Sequence, residues 1–313
     1  MPDLATELCG LRLKNPVIAS SGTFGYGLEF DKILELSALG GFVVKGLSRE
    51  PIAGNAPPRV VETASGMLNS IGLQNVGVRA FVADKLPKLA RLDTAVFANV
   101  FGYSPEDYVE VLRVLEDAEG LAGYELNVSC PNTKHGGMQF ASDPVLLAEV
   151  VGMARQAVRK RPLIVKLSPN VTDIALMARA AEQAGADAIS LVNTLVGLAV
   201  DAGARRPRLG ANFGGLSGPA IKPVALRMVY QVSQAVKIPV IGLGGIASGE
   251  DVAEFLICGA SAIQVGTATF WDPKSPQRLV GELSDWLAKE GVPCARDLIG
   301  TLEWNSQSEP PKS

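Results

Sequence analysis

The chain has 313 residues, of which 47% are hydrophobic and 19% are charged, and its formal net charge is −3. This length and apolar content suffice for one large globular domain or two ordinary ones, and the slightly acidic balance gives no electrostatic attraction to nucleic acid or an anionic membrane. The N-terminus lacks an apolar export signal, and the longest charge-free run, 255–271, is too short and too polar to span a bilayer. We therefore expect a cytoplasmic protein that binds neither nucleic acid nor membrane.

Eight strands are predicted in chain order, each a short apolar or β-branched run separated from the next by a segment that includes a helical pattern. The predicted strands are 16–20, 42–48, 95–102, 124–130, 163–168, 188–194, 239–245 and 262–267. Clear helical segments include 105–118 and 173–186. Alternation of strand and helix requires a parallel sheet, and eight repeats favour a closed (β/α)8 TIM barrel over a doubly wound open sheet. We expect one domain over 1–305 and a flexible polar tail at 306–313.

Two connections are much longer than such loops normally are: 49–76 after strand 2 and 195–218 after strand 6. Both leave from C-terminal strand ends, which is the face where barrel enzymes carry their active sites. Both are rich in Gly, Asn and Pro. We expect them to cover that face as substrate loops or lids, the alternative being insertions without a role in binding.

Polar residues collect where the predicted strands end. They are Ser20, Ser21, Lys45, Gly46, Asn99, Asn127, Cys130, Lys166, Asn193 and Thr194. Two lysines inside apolar runs are costly if they are buried unpaired, so Lys45 and Lys166 together indicate an anionic or electron-rich ligand. The alternative is that either lysine is a structural cation with a counterion.

Glycines follow strands 7 and 8, where barrels commonly bind phosphate through backbone N–H groups: Gly244 and Gly245, then Gly266 with Thr267. The segment GLGGIA, 242–247, also matches the dinucleotide pattern G-x-G-x-x-A, but the acidic ribose partner about twenty residues later is absent. The pattern therefore favours a single phosphate, and hence a mononucleotide. Glycines required only by tight turns are the alternative.

The four cysteines, at 9, 130, 258 and 294, form no C-x-x-C pair, which argues against a zinc knuckle, an iron–sulfur cluster or a dithiol redox site. Cys258 lies in an apolar helical run and is interpreted as a packing residue. Cys130 lies among Ser, Pro and Asn at a strand end, so it is a candidate general base or nucleophile, and spacing does not separate the two roles. The one histidine, His135, is interpreted as a solvated loop residue, the alternative being that it assists Cys130.

Four motifs resemble one known family. NVSCPN (127–132), GMLNSIGLQNVG (66–77), NTLVGLAVD (193–201) and GGLSGPAIKPVALRMVYQV (214–232) are similar to dihydroorotate dehydrogenases. The resemblance runs from about residue 4 to about residue 290. A cysteine where the membrane-bound class 2 enzymes use serine indicates class 1. The 66–77 loop and GLSGPAIKP resemble class 1B.

The resemblance implies a (β/α)8 barrel that holds one FMN and oxidises (S)-dihydroorotate to orotate in pyrimidine biosynthesis. Cys130 would take the C5 proton while hydride passes from C6 to flavin N5, and Lys166 would stabilise negative charge on the reduced flavin. The implied FMN contacts are Ser21, Lys45, Gly46, Asn99, Asn127, Lys166, Val192, Gly218, Gly244, Gly245, Gly266 and Thr267. The implied substrate contacts are Lys45, Asn69, Ser70, Ile71, Gly72, Leu73, Asn127, Asn193 and Thr194.

The resemblance to class 1B also implies a partner subunit that carries FAD and a [2Fe–2S] cluster and passes electrons to NAD, in a heterotetramer of two catalytic and two partner chains. A class 1A-like homodimer that uses fumarate is the alternative within the family. A flavin reductase acting on another pyrimidine or on tRNA uridine is a second alternative. A barrel that only binds a phosphorylated ligand is a third.

Overall fold

Eight parallel strands close into a barrel in the computed structural model, which describes residues 1–128 and 137–305 apart from the side chains of 137–139. The strands are β1 Val17–Ala19, β2 Gly41–Leu47, β3 Ala95–Val100, β4 Gly123–Asn127, β5 Leu163–Lys166, β6 Ala188–Leu191, β7 Val240–Leu243 and β8 Ala262–Val265. Neighbours in the sequence are neighbours in the barrel, and β8 pairs with β1 to close it. The predicted (β/α)8 barrel is confirmed. Cys130, His135 and the predicted tail 306–313 lie outside the described residues.

Helices surround the barrel, and several of them begin at a capping side chain. The α-helices are Val78–Ala80, Leu86–Leu89, Pro105–Glu116, Gly137–Ser142, Pro144–Ala157, Ile174–Gln183, Lys222–Ala235, Gly249–Ile257, Ala268–Trp271 and Ser275–Lys289, with a π-helical turn at Phe81–Lys85. Short 3-10 turns lie at Leu28–Phe30, Leu36–Ala38, Pro219–Ile221 and Ala295–Leu298. Ser104 caps the helix predicted at 105–118, and Asp173 caps the one predicted at 173–186. The latter ends at Gln183 because Gly185 adopts a left-handed φ of 104°.

The strands end earlier than predicted at the carboxyl side, and after β6, β7 and β8 the residues that follow line the barrel mouth. Strand β4 ends at Asn127 instead of 130, and β6 ends at Leu191 instead of 194. Strand β7 stops at Leu243 because Gly244 and Gly245 follow with φ values of 130° and 83°, which no strand adopts.

The two long connections build one sheet together instead of two separate irregular loops. Four antiparallel strands lie side by side in the order Leu195–Leu198, Phe213–Ser217, Gly66–Asn69 and Val60–Thr63. The connections meet where Gly215 pairs with Asn69. A short hairpin, Val200–Asp201 with Arg206–Pro207, extends the second connection. The prediction that both cover the C-terminal face is confirmed, and their shared hydrogen bonds make that cover a continuous structure.

The barrel interior changes from apolar to polar along its axis. A hairpin of Thr6–Leu8 and Leu11–Leu13 supplies two leucines to the bottom of the barrel. These pack against inward residues of the strands, including Phe97 and Ile164. Because side chains alternate along a strand, the next inward residues are polar, for example Asn99 and Lys166. The alternation therefore places a polar layer at the C-terminal end. No helix in the described part of the chain is both long enough and apolar enough to cross a bilayer.

Candidate active site

A cavity opens at the C-terminal end of the barrel, between the strand ends and the four-stranded sheet. It encloses about 1260 Å³, part of which is open to solvent. Its walls combine backbone at glycine turns, amide and hydroxyl side chains, two lysines and a rim that includes Phe270 and Trp271.

Nearly all the predicted site residues within the described part of the chain line this cavity. Every implied FMN contact does so, from Ser21 on the first strand end to Thr267 on the last, and Val192 is among them. The implied substrate contacts also line it, with one exception. Ser70 is 1% exposed, and its hydroxyl oxygen accepts a hydrogen bond from Nδ2 of Asn55 at 2.9 Å. Ser70 therefore shapes the loop, while its neighbours Asn69 and Ile71 reach the cavity.

A carboxylate that the sequence prediction missed lies beneath the cavity. Glu125, on β4, is 0% exposed. It accepts hydrogen bonds from Asn99 Nδ2 at 2.8 Å, Ser190 Oγ at 2.9 Å and Gln264 Nε2 at 2.5 Å. Lys166 Nζ lies 3.8 Å from Glu125 Oε1. One signal in the sequence pointed to it: Glu125 is two residues before the predicted contact Asn127, so both side chains face inward.

Two amide oxygens in this layer are buried and have no hydrogen-bond partner in the described part of the chain. Asn99 Oδ1 and Gln264 Oε1 have no hydrogen-bond partner among the described residues, and both residues line the cavity. Buried carbonyl oxygens are normally hydrogen-bonded, so these two atoms indicate that a ligand with N–H or O–H donors belongs there. Lys166 is 5% exposed, and its loose contact with Glu125 compensates its charge only in part.

Glycines form a tight corner where the ends of β7 and the second long connection meet. Gly218 and Gly245 have φ values of 93° and 83°, in the left-handed region. A Cβ on Gly245 would lie 2.9 Å from the carbonyl oxygen of Gly218, so only glycine fits. Gly266 differs, because an added Cβ there would meet no atom of the described residues closer than 3.8 Å. For the glycines after β7, the alternative that they serve a tight turn agrees with the positive φ values of Gly244 and Gly245, and it is compatible with binding.

An ion-pair cluster holds the loop after the glycine corner. Asp251 accepts hydrogen bonds from the backbone N–H groups of Ala247 at 2.8 Å and Ser248 at 2.9 Å. Lys222 Nζ lies 2.5 Å from Asp251 and 2.7 Å from Glu254. Burial alone would raise the pKa of Asp251, but the hydrogen bond from Lys222 and those from the backbone outweigh it and lower that pKa below its ordinary value. The charged cluster therefore fixes the backbone of Ala247 and Ser248, which follow the corner in the chain.

The three described cysteines do not line the cavity. Cys9, in the hairpin at the bottom of the barrel, donates to the carbonyl oxygen of Asp187 at 3.2 Å. Burial and the charge of Asp187 raise its pKa to about 12. Burial, with Glu254 nearby, also raises the pKa of Cys258, which ends a helix and is half-buried. Neither thiol is a candidate base.

Comparison with known proteins decides the family. A family model described as dihydroorotate dehydrogenase matches residues 3–287. The chain belongs to the dihydroorotate dehydrogenase family. It is 70% identical, over 97% of its length and 99% of the relative's, to a protein of Solibacter usitatus named putative dihydroorotate dehydrogenase A (fumarate). It is 54% identical, over 96% of its length and 99% of theirs, to proteins of Pelobacter propionicus and Geotalea daltonii named dihydroorotate dehydrogenase B (NAD(+)), catalytic subunit. The predicted family and the similarity to class 1B are confirmed.

The family membership gives meaning to a second group of amides at the cavity. Asn193 Nδ2 approaches Asn127 Oδ1 at 3.5 Å, and the backbone N–H of Thr194 donates to Asn193 Oδ1 at 2.9 Å. The hydroxyl of Tyr108 donates to the carbonyl oxygen of Asn127 at 3.0 Å and steadies the end of β4. Amide side chains suit a small planar ligand with amide-like edges, which describes the pyrimidine substrate of a dihydroorotate dehydrogenase.

The cavity residues fit an FMN. The unpartnered oxygens of Asn99 and Gln264 would accept from donors of the flavin, and the glycine corner would admit its phosphate. The contact of each residue with FMN or substrate stays a prediction. No group of three or more His, Cys, Asp or Glu side chains suited to a metal ion occurs among the described residues.

Proposed function

We propose that the chain is the FMN-containing catalytic subunit of a dihydroorotate dehydrogenase, oxidising (S)-dihydroorotate to orotate in pyrimidine biosynthesis. The observation that carries the proposal is the convergence of separated motifs on one cavity. Asn69 from the first long connection, Asn193 after β6, Gly218 from the second connection and Asn127 at the end of β4 all line it. A chain of this family whose separated motifs line one cavity is best explained as a flavin enzyme.

Different residues of the chain would bind the substrate, stabilise negative charge on the reduced flavin and take up a proton. The flavin, when bound, supplies the acceptor for the two electrons that leave C6 of the substrate. Lys45 would bind the substrate carboxylate, and the amides of Asn127 and Asn193 would hydrogen-bond its ring edges. Lys166, 5% exposed, would stabilise negative charge on the reduced ring. Cys130, three residues after Asn127, would take the proton from C5.

The test of the base is Cys130→Ala. We expect the variant to keep FMN while turnover with an artificial acceptor falls by about two to four orders of magnitude, which is the usual contribution of a general base. Cys258→Ala is the matched control, since that cysteine does not line the cavity, and its turnover should equal that of the wild type. Wild-type turnover in Cys130→Ala would reject Cys130 as the base.

The proposed electron acceptor is NAD, reached through a partner subunit that carries FAD and a [2Fe–2S] cluster in a heterotetramer of two catalytic and two partner chains. The names of the relatives at 54% identity support NAD. The cavity rim would offer this partner an exposed surface, because Phe270 is 50% and Trp271 is 52% exposed there. Exposed aromatic residues beside a cavity are typical of a contact surface. The isolated chain should then be unable to reduce NAD.

A second candidate is a fumarate-dependent enzyme without an electron-transfer subunit, and the name of the relative at 70% identity favours it. The two candidates separate in one assay of the purified chain with dihydroorotate. Rapid reduction of fumarate would support the second. Inactivity with both fumarate and NAD, restored for NAD by the electron-transfer subunit, would support the first.

A further inference from the structure

The buried carboxylate of Glu125 has no place in the proton-transfer chemistry proposed above. It lies at the centre of the barrel, 0% exposed, and three hydrogen-bond donors and one ammonium from four other strands surround it. Burying a carboxylate costs free energy unless donors satisfy it. Apolar side chains fill the layer beneath it, so a carboxylate at this position calls for a different explanation from packing.

The chemistry of a carboxylate determines how its neighbours are oriented. An ionised carboxylate only accepts hydrogen bonds, so the amide groups of Asn99 and Gln264 must turn their NH₂ ends towards Glu125. Either amide in the flipped orientation would place its carbonyl oxygen against the negative charge. The carbonyl oxygens are therefore held away from Glu125, and both are buried without a partner among the described residues.

We propose that Glu125 is a positioning residue for the flavin. It holds the carbonyl oxygens of Asn99 and Gln264 where they accept hydrogen bonds from N–H or O–H groups of the bound FMN, and it partly offsets the charge of Lys166 beside the ring. This inference rests on the proposed function, because it requires FMN in the cavity. The affinity and the reduction potential of the flavin then depend in part on a residue that does not line the cavity.

A purely structural role for Glu125 makes a different prediction. Loss of a structural carboxylate lowers the stability of the fold but leaves the flavin's affinity and potential unchanged. Loss of a positioning carboxylate frees at least one amide to flip and leaves Lys166 without its counterion. The oxidised flavin is then bound more weakly. The reduced, more negative flavin loses less affinity, so the reduction potential becomes more positive.

The experiment compares Glu125→Gln with Glu116→Gln, a second buried carboxylate. Glu116 is 8% exposed, accepts from the hydroxyl of Tyr124 at 2.7 Å and lies outside the cavity. FMN binding to the apo protein is titrated by flavin fluorescence, and the midpoint potential is measured by equilibration with reference dyes. We expect Glu125→Gln to raise the FMN Kd about tenfold or more, because one to two oriented hydrogen bonds to the flavin are lost. We also expect the midpoint potential of the bound flavin to become about 30 mV more positive. That shift corresponds to a tenfold change in the ratio of the affinity for oxidised FMN to the affinity for reduced FMN.

Glu116→Gln should lose stability and keep both flavin properties. Equal Kd and potential in Glu125→Gln and wild type would overturn the proposal, as would equal changes in both variants. Gln264→Met is the second variant, to be used if Glu125→Gln does not fold, because it retains the carboxylate of Glu125 and the length of the side chain at 264. It should raise the FMN Kd severalfold. An unchanged Kd in this variant would also overturn the proposal. A wild-type chain that binds no FMN would refute the proposed function itself. If the wild-type chain binds FMN that dihydroorotate reduces, but the variants keep the wild-type Kd and potential, only the role of Glu125 is refuted.

Discussion

Substitution of Gly245 by alanine tests whether the glycine corner holds the phosphate of the flavin. The backbone φ of Gly245 is 83°, and a left-handed residue with a Cβ costs about 1–2 kcal/mol. The added Cβ would also lie 2.8 Å from the Cβ of Lys222 and 2.9 Å from the carbonyl oxygen of Gly218. Because one of these neighbours is backbone, the corner itself must shift by some tenths of an ångström.

Such a shift moves the backbone N–H groups that are proposed to bind the phosphate. A hydrogen bond to a charged group contributes about 1.5–3 kcal/mol, so the loss of one weakens FMN binding by roughly ten- to hundredfold. Fluorescence titration of the apo protein with FMN measures this directly. Riboflavin, which lacks the phosphate, should bind the variant and the wild type about equally.

Gly10→Ala is the matched control. Gly10 lies between the two strands of the N-terminal hairpin, has a φ of 77°, and an added Cβ there meets no atom within 4 Å. It carries the same backbone strain without the crowding, so it should lower thermal stability and leave the FMN Kd unchanged. A folded Gly245→Ala protein with the wild-type FMN Kd would refute the assignment of the phosphate to this corner.

Three further predictions concern charge and assembly. The pKa of Asp251 is lowered in the folded chain, so its contribution to stability is complete above the unfolded value of about 3.9 and is lost as the pH falls through and below that value. Asp251→Asn should therefore lose less thermal stability than the wild type when the pH falls from 5 to 3. Equal losses in thermal melts of the two proteins would contradict this. Arg161→Met should lower the free energy of unfolding in urea by about 3 kcal/mol, because it leaves Glu116 buried without the guanidinium that lies 3.6 Å away. A decrease within 0.5 kcal/mol, which is typical of a surface site, would show that the ion pair is not a buried one. Trp271→Glu should abolish partner-dependent reduction of NAD while dihydroorotate still reduces the flavin, and undiminished NAD reduction would place the partner elsewhere.

The barrel and its active face follow from local patterns in the sequence. Each strand is a short apolar run, and the strand ends carry Lys45, Asn99 and Lys166, so parallel packing brings these residues to one rim without any knowledge of long-range contacts. The turn at Gly244 and Gly245 was also predictable, because the two glycines directly follow the apolar run of β7, whereas its contact with Gly218 was not. The positive φ values of Gly244 and Gly245 explain why β7 stopped short of its predicted end.

Long-range pairing is what the sequence did not reveal. Asn69 and Gly215 are 146 residues apart, yet they pair in the sheet that the two long connections form. Nothing local to either segment specifies that partner. Glu125 was missed for a related reason, because its donors come from four other strands and only the closed barrel brings them together. Ser70 was predicted as a substrate contact together with its neighbours, and only the folded loop shows that it lies outside the cavity, where its hydroxyl accepts a hydrogen bond from Asn55.

The central claim is that this cavity binds FMN and that dihydroorotate reduces it there. The most direct measurement is the visible spectrum of the purified chain under anaerobic conditions before and after addition of dihydroorotate. A yellow protein whose flavin absorbance bleaches with one equivalent of dihydroorotate, and not with dihydrouracil, which lacks the carboxylate, is the predicted result. A chain that binds no flavin even when FMN is supplied, or whose bound flavin stays oxidised with excess dihydroorotate, would contradict the account.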